Sequence, residues 1–165
     1  MENTVRHVLV IAVFGCFGFT AMASAAHTSR ATANFLSGGA VSALKAAAQA
    51  SSAAPAKKRC IERISESALA PLYDELIASR LSQKDLELLE RFYSSPLGIK
   101  YSKALIGRKN PASVFSPAEL SQLKSSLMAI PQEALFRATS SQDPEIAARE
   151  KAFVKPLLDA CADAV

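Results

Sequence analysis

Histidine is nearly missing from this 165-residue chain, which carries two, His7 and His27. Neither falls within the helical stretches read below. Without a positioned imidazole, a Ser-His-Asp or Cys-His nucleophile cannot be assembled. Cysteine is scarce as well: Cys16, Cys60 and Cys161 lie far apart, with no Cys-x-x-Cys pair. That spacing argues against a dithiol redox centre and against an ordinary four-ligand zinc site. Gly38-Gly39 has neither a strand before it nor a Lys-Ser after it, so no phosphate-binding loop is expected. Tryptophan is absent. No stretch alternates polar and apolar residues as a strand would.

The only sustained apolar run near the start, Val8 to Phe19, is shorter than the ~20 residues a membrane-spanning helix needs. Arg6 and His7 precede it, and Ala23-Ser24-Ala25 follows with the small residues a signal peptidase requires. Residues 1–25 therefore read as an export signal, with a mature chain beginning at Ala26. The rival reading cuts between Gly15 and Cys16 and lipidates Cys16. The bulky Phe14 before that pair, and the apolar sequence continuing past it, weigh against this. A periodic, capped chain behind such a signal is expected in the periplasm or outside the cell.

The formal charge is +4, and loss of Glu2 and Arg6 with the signal leaves it unchanged. This is a mild excess without the clustered Lys and Arg of a nucleic-acid footprint. Half of the residues are hydrophobic, enough for a packed core. Two cysteines remain after the signal, at either end of the periodic region. An exported chain favours a Cys60–Cys161 disulfide over two buried free thiols.

Residues 26–57 read as a flexible Ala- and Ser-rich leader. Few large apolar residues occur there beyond Phe35, Leu36, Val41 and Leu44, too few to offset the entropy of ordering. Ala40 to Ala50 reads as a transient helix at most. Residues 58–165 read as one all-α domain, a small bundle of about five to six helices built from helix-Pro-helix hairpins. Ile61, Ile64, Ala68, Leu72 and Leu76 keep a three-and-four spacing, and Pro71 predicts a kink or two successive helices. Ser82 and Asp85 predict a capped helix start, Pro96 opens a second helix to about Ile106, and residues 107–111 read as a loop. Ser116 and Glu119 form a second capping box, Ile130-Pro131 a second break, and Asp143-Pro144 the start of a final helix. In that last helix Ile146, Phe153, Val154, Leu157 and Leu158 are expected inward and Pro156 is expected to kink it. Leu81–Ala104 aligns with Phe115–Ala138 if one residue is inserted before the second proline. Both an internal duplication and two independently capped hairpins account for that match.

The phrase Leu81-Ser-x-x-Asp-Leu-x-x-Leu-x-x-Phe-Tyr-Ser-Ser-Pro-x-Gly-x-Lys100 resembles the bacterial exported family called domain of unknown function 2059. The resemblance covers residues 60–110, and the run from Phe92 to Lys100 carries most of it. The second phrase, at 115–138, lacks the glycine after its proline. Membership implies a small, exported helical domain and no known activity, catalytic residue or cofactor.

Carboxylates are the remaining acid–base candidates: Glu62 with Glu66, Asp74 beside Glu75, and Glu87 with Glu90. Each lies on the polar side of its stripe, where acids are ordinarily solvated, so no catalytic residue is assigned. Lys100, Lys103, Arg108 and Lys109 form a local basic cluster that suits an anionic surface or, more plainly, a solvated helix face. Phe92, Tyr93 and Tyr101 are candidates for a groove, with core packing as the ordinary role and the Tyr93 hydroxyl expected at the surface. The expectation is a non-catalytic envelope protein, without metal or cofactor, that binds another protein as adaptor, chaperone or inhibitor. The alternative is a carrier of a small apolar ligand or lipid.

Overall fold

A computed structural model describes residues 30–162, so the expected signal, Cys16 and His27 lie outside the described residues. The chain is all-α, with nine helices among the described residues: α1 (Ala31–Ala50), α2 (Pro55–Glu62), α3 (Ala70–Arg80), α4 (Gln83–Tyr93), α5 (Pro96–Ile106), α6 (Pro111–Val114), α7 (Pro117–Ala129), α8 (Gln132–Thr139) and α9 (Pro144–Ala162). The count exceeds the five or six expected because the first apolar stripe is divided into α2 and α3 and for two further reasons. The expected leader is itself helical, and the 107–111 loop gives way at Pro111 to the single turn of α6.

The leader is the main correction. Residues 31–50 form a helix that packs on α3, α4 and α5. Its inward face is made of small residues, with Ala33, Ser37, Gly38 and Val41 buried. Small side chains bury little area each, but they let helix axes approach closely, so the contacts come from neighbouring helices as much as from α1. Most helical stability in folded proteins comes from tertiary packing, and α1 is packed along this face. Ser37 shows how tightly the joint is made. Its hydroxyl donates to the Glu66 carbonyl at 2.6 Å and accepts from the Leu69 N–H at 2.9 Å, fully buried.

The start of α1 is capped from another helix. The Glu90 carboxylate accepts from the Ala31 N–H at 2.8 Å and from the Thr32 N–H and hydroxyl at 3.2 Å. An anion at a helix N-terminus satisfies orphan donors and complements the helix dipole. Arg30 meets Asp74 of α3 at 2.9 Å beside it. Two of the acids weighed for acid–base chemistry thus act as anchors for α1.

Other helix boundaries follow local chemistry. Ser82 accepts from the Asp85 N–H and Ser95 from the Gly98 N–H, and Ser116 with Glu119 forms a complete capping box. The Asp85 carboxylate takes the Ser82 hydroxyl at 2.7 Å. Pro71 sits in the first turn of α3, so the stripe from Ile61 to Leu76 is divided between α2 and α3. In α9, which contains Pro156, Ile146 is fully buried. Phe153, expected inward, is 40% exposed.

The main core gathers Leu72, Leu76, Ile77, Leu89 and Ile146 with the buried face of α1. A second, smaller cluster of Ala48, Ile61 and Cys161 closes the other end, where Cys60 of α2 and Cys161 of α9 form a disulfide with Cα atoms 5.5 Å apart.

Candidate functional site

The turn joining α4 to α5 brings two backbones into close contact, and a cleft opens beside it. Ser95 closes α4 by donating its hydroxyl to the Phe92 carbonyl at 2.6 Å and opens α5 by accepting the Gly98 N–H at 3.0 Å. Pro96 fills the first helical turn, where no amide hydrogen is needed. Gly98 then lies directly against the end of α4: a Cβ there would stand 2.0 Å from the Phe92 carbonyl oxygen. The Ser-Pro-x-Gly phrase is therefore a folding device that folds α5 back onto α4.

With α5 folded back, Pro96 and Leu97 form the floor of a cleft of about 650 Å³ between α4 and α7. Leu88, Arg91 and Phe92 line one wall; Glu119, Gln122, Ser126 and Ala129 line the other, with Ile130 at its end. This volume lies within the range of small-ligand sites, and the cleft is open to solvent. Lys100 crosses the floor to Glu119 at 2.7 Å and lies 4.8 Å from the centre of the Phe115 ring. The Lys100 ammonium, followed by the Ser116 backbone and hydroxyl, holds the Glu119 carboxyl down at about 2. Arg91, by contrast, has neither ion pair nor hydrogen bond among the described residues and is exposed at the rim.

The residues expected to form a groove are divided. Phe92 lines the cleft. Tyr93 turns to the opposite side, where its ring stacks on Phe35 of α1 at 4.5 Å and meets Phe92 edge-on at 5.0 Å. Tyr101 joins the same cluster, 6.4 Å from Phe35 and 6.1 Å from Phe92, and lines no part of the cleft. Tyr93, expected to keep its hydroxyl at the surface, is buried because α1 covers it; burial, then the nearby Tyr101, pushes its pKa up.

The basic cluster is divided too. Lys100 faces α7, whereas Lys103 shares a hollow of about 190 Å³ with Lys45 and Glu66 on the α1 side. Arg108, in the left-handed region at φ 54°, reaches back to the Ser42 carbonyl at 3.4 Å, and Lys109 is exposed. The four cations do not converge on one surface.

Remaining acids hold the helices together. Glu150 of α9 accepts the Tyr73 hydroxyl at 2.8 Å and the Ser141 hydroxyl at 2.7 Å, and Arg80 bridges Asp143 at 2.8 Å and Glu145 at 3.0 Å. Arg80 holds the Asp143 carboxyl below its ordinary range, aided by the Glu145 backbone. Burial, then the Glu150 bond, raises the Tyr73 pKa. Among the described residues no group of three or more His, Cys, Asp or Glu is placed to hold a metal ion, and no helix is long and apolar enough to cross a membrane.

Sequence reasoning missed Phe35, Ile130 and the Glu90 cap. The four-residue spacing of Ala33, Ser37 and Val41 was the available signal for Phe35's helix. Nothing local marks the other two. Fold and site together define a disulfide-linked all-α bundle with an open, largely apolar cleft. Comparison with protein-family models, with curated proteins and with solved structures returned no match.

Proposed function

We propose that this chain is an exported, non-catalytic binding protein of the bacterial envelope that engages another protein through the α4–α5–α7 cleft. The observation that carries this reading is the cleft itself: an open, largely apolar trough lined by Leu88, Phe92, Leu97 and Ile130, with Arg91 and the paired Lys100 and Glu119 as its charged groups. An open apolar trough suits a polypeptide segment better than the enclosed cavity that a lipid carrier needs. Export is supported by the Cys60–Cys161 bridge, which is compatible with an oxidising compartment, and by the signal-like start of the sequence. The resemblance to domain of unknown function 2059 fits this reading, and its shared Pro-x-Gly residues have a structural role in the α4–α5 turn. The caps and ion pairs that occupy Asp74, Glu90, Glu119 and Glu150 favour a structural role for these acids over acid–base work.

Photocrosslinking in the native envelope tests the proposal. A photoreactive residue at Gln122, exposed on the cleft wall, should give a discrete protein adduct that is absent when the probe stands at exposed Lys151 of α9. Intact mass of the natively purified chain should start at Ala26 and carry no ligand. Failure to crosslink a protein, with a lipid in the intact mass, would replace this reading with the carrier; acyl chains on Cys16 would replace the soluble form with a lipoprotein.

A further inference from the structure

We propose that the occupant of the cleft is an amphipathic α-helix of about three turns, bearing an acidic residue beside its apolar stripe. This rests on the binding reading above and names the chemistry of the partner. Both walls have helical periodicity. Leu88, Arg91 and Phe92 of α4 stand three and four residues apart, as do Glu119, Gln122, Ser126 and Ala129 of α7, so each wall is one stripe of one helix. Two such stripes flanking an apolar floor leave the place of a third helix. From Glu119 to Ala129 the α7 wall runs about 15 Å at 1.5 Å per residue, the length of about three helical turns.

Backbone chemistry selects the same shape. An extended peptide brings unpaired N–H and C=O groups and is held best by a strand edge. No strand occurs among the described residues, and the walls offer side chains whose own backbones are already paired within α4 and α7. A helix arrives with its backbone bonds satisfied and needs only apolar contacts, which the Phe92, Leu97 and Ile130 side chains of the lining offer.

Charge supplies the second element. Glu119 neutralises Lys100 at 2.7 Å, which removes that cation from the site's balance. Arg91 remains at the rim without a partner among the described residues, so the cleft presents one uncompensated positive charge beside an apolar trough. An Asp or Glu flanking the partner's apolar stripe complements it, whereas a Lys there is repelled.

Selection from displayed random peptides tests this without knowing the partner. The full mature chain is the bait, with an excess of the Ala129→Arg variant as competitor so that only cleft binders survive. Ala129 is exposed, so arginine there fills the trough without entering the core; Gln122→Trp serves as a second blocking variant. The expected consensus has Leu, Ile or Phe at positions i, i+3 or i+4 and i+7, with Asp or Glu on one flank. Circular dichroism should show the selected peptide becoming helical on binding. Arg91→Gln should weaken it about three- to fivefold, the size of an exposed ion pair, and Arg91→Glu should shift the selected flank to Lys or Arg. A consensus that is extended or Pro-rich, or whose flanking charge ignores Arg91→Glu, overturns the inference and leaves the binding reading standing. Enrichment of no peptide over both blocking variants overturns the reading with it.

Discussion

At position 98 a single methyl group decides whether two helices can meet. Alanine there would place its Cβ 2.0 Å from the Phe92 carbonyl oxygen and 3.0 Å from the Tyr93 Cα, and neither backbone atom can rotate away. Gly98→Ala is expected to cost about 2 kcal/mol or more, as overpacking against backbone does, read as a lower urea midpoint. Gly39 is the control. It lies inside α1 with nothing within 4 Å of its Cβ position, so Gly39→Ala should stabilise by about 0.5–1 kcal/mol through helix propensity. Equal effects of the two substitutions would refute this account of the Ser-Pro-x-Gly phrase. Glu119 sets a pH dependence at the same scale. Its carboxyl is depressed from 4.5 to about 2, chiefly by Lys100. In that window the unfolded chain binds the proton more readily, so stability rises with pH. The contribution of Glu119 is fully present above about pH 4.5 and lost as pH falls through about 2. Urea midpoints across this window should fall less steeply with acid in Glu119→Gln than in the natural chain.

Among the elements, α1 carries the sharpest consequence. Its small residues face α3, α4 and α5, and its first turn is held by Glu90 and Asp74. A fragment beginning at Lys58 would expose the faces of α3, α4 and α5 that α1 covers. It should lack a cooperative thermal transition, whereas a chain beginning at Ala26 should unfold in one step; circular dichroism melts decide between them. A fragment from residue 58 that melts cooperatively would restore the expected leader. The two proline-linked hairpins also part company at this scale. Pro96 and Pro131 align, but Gly98 aligns with Glu133, and α8 packs on α3 instead of folding back along α7. Without a glycine two residues past the proline, the close return of α5 onto α4 has no counterpart. That divergence leaves α7 free to form a wall of the cleft.

For the molecule as a whole, the disulfide joins residues 101 apart at the end where the core is thinnest. Replacing both cysteines by serine should cost up to about 4–5 kcal/mol on the chain-entropy account of a loop this long. Hydrogen exchange should locate the loss: amides of α2 and the last turns of α9 should exchange faster, while those around Leu76 and Leu89 keep most of their protection. Uniform loss of protection would mean that the bridge supports the entire fold. Much of this architecture was legible beforehand. The helical periodicity, the serine caps at 82 and 116, and the prolines that open helices act within three or four residues, so they can be read along the chain. The pairing of Cys60 with Cys161 was legible only as a favoured option. The place of α1, the burial of Tyr93 and the exposure of Phe153 were not.

The difference is one of range. Caps, proline positions and apolar spacing are settled by neighbours in sequence, and by themselves they determined that this protein is helical and where most helices begin. Whether an Ala-rich stretch becomes core depends on how closely another backbone can approach it. Residues such as Glu90 and Ala31, 59 positions apart, meet only when the bundle closes. The cleft has the same origin, since its walls belong to α4 and α7 and its shape exists only because Gly98 lets α5 return. Tertiary packing, through close contact of small residues and charges far apart in sequence, decided which surface this protein offers.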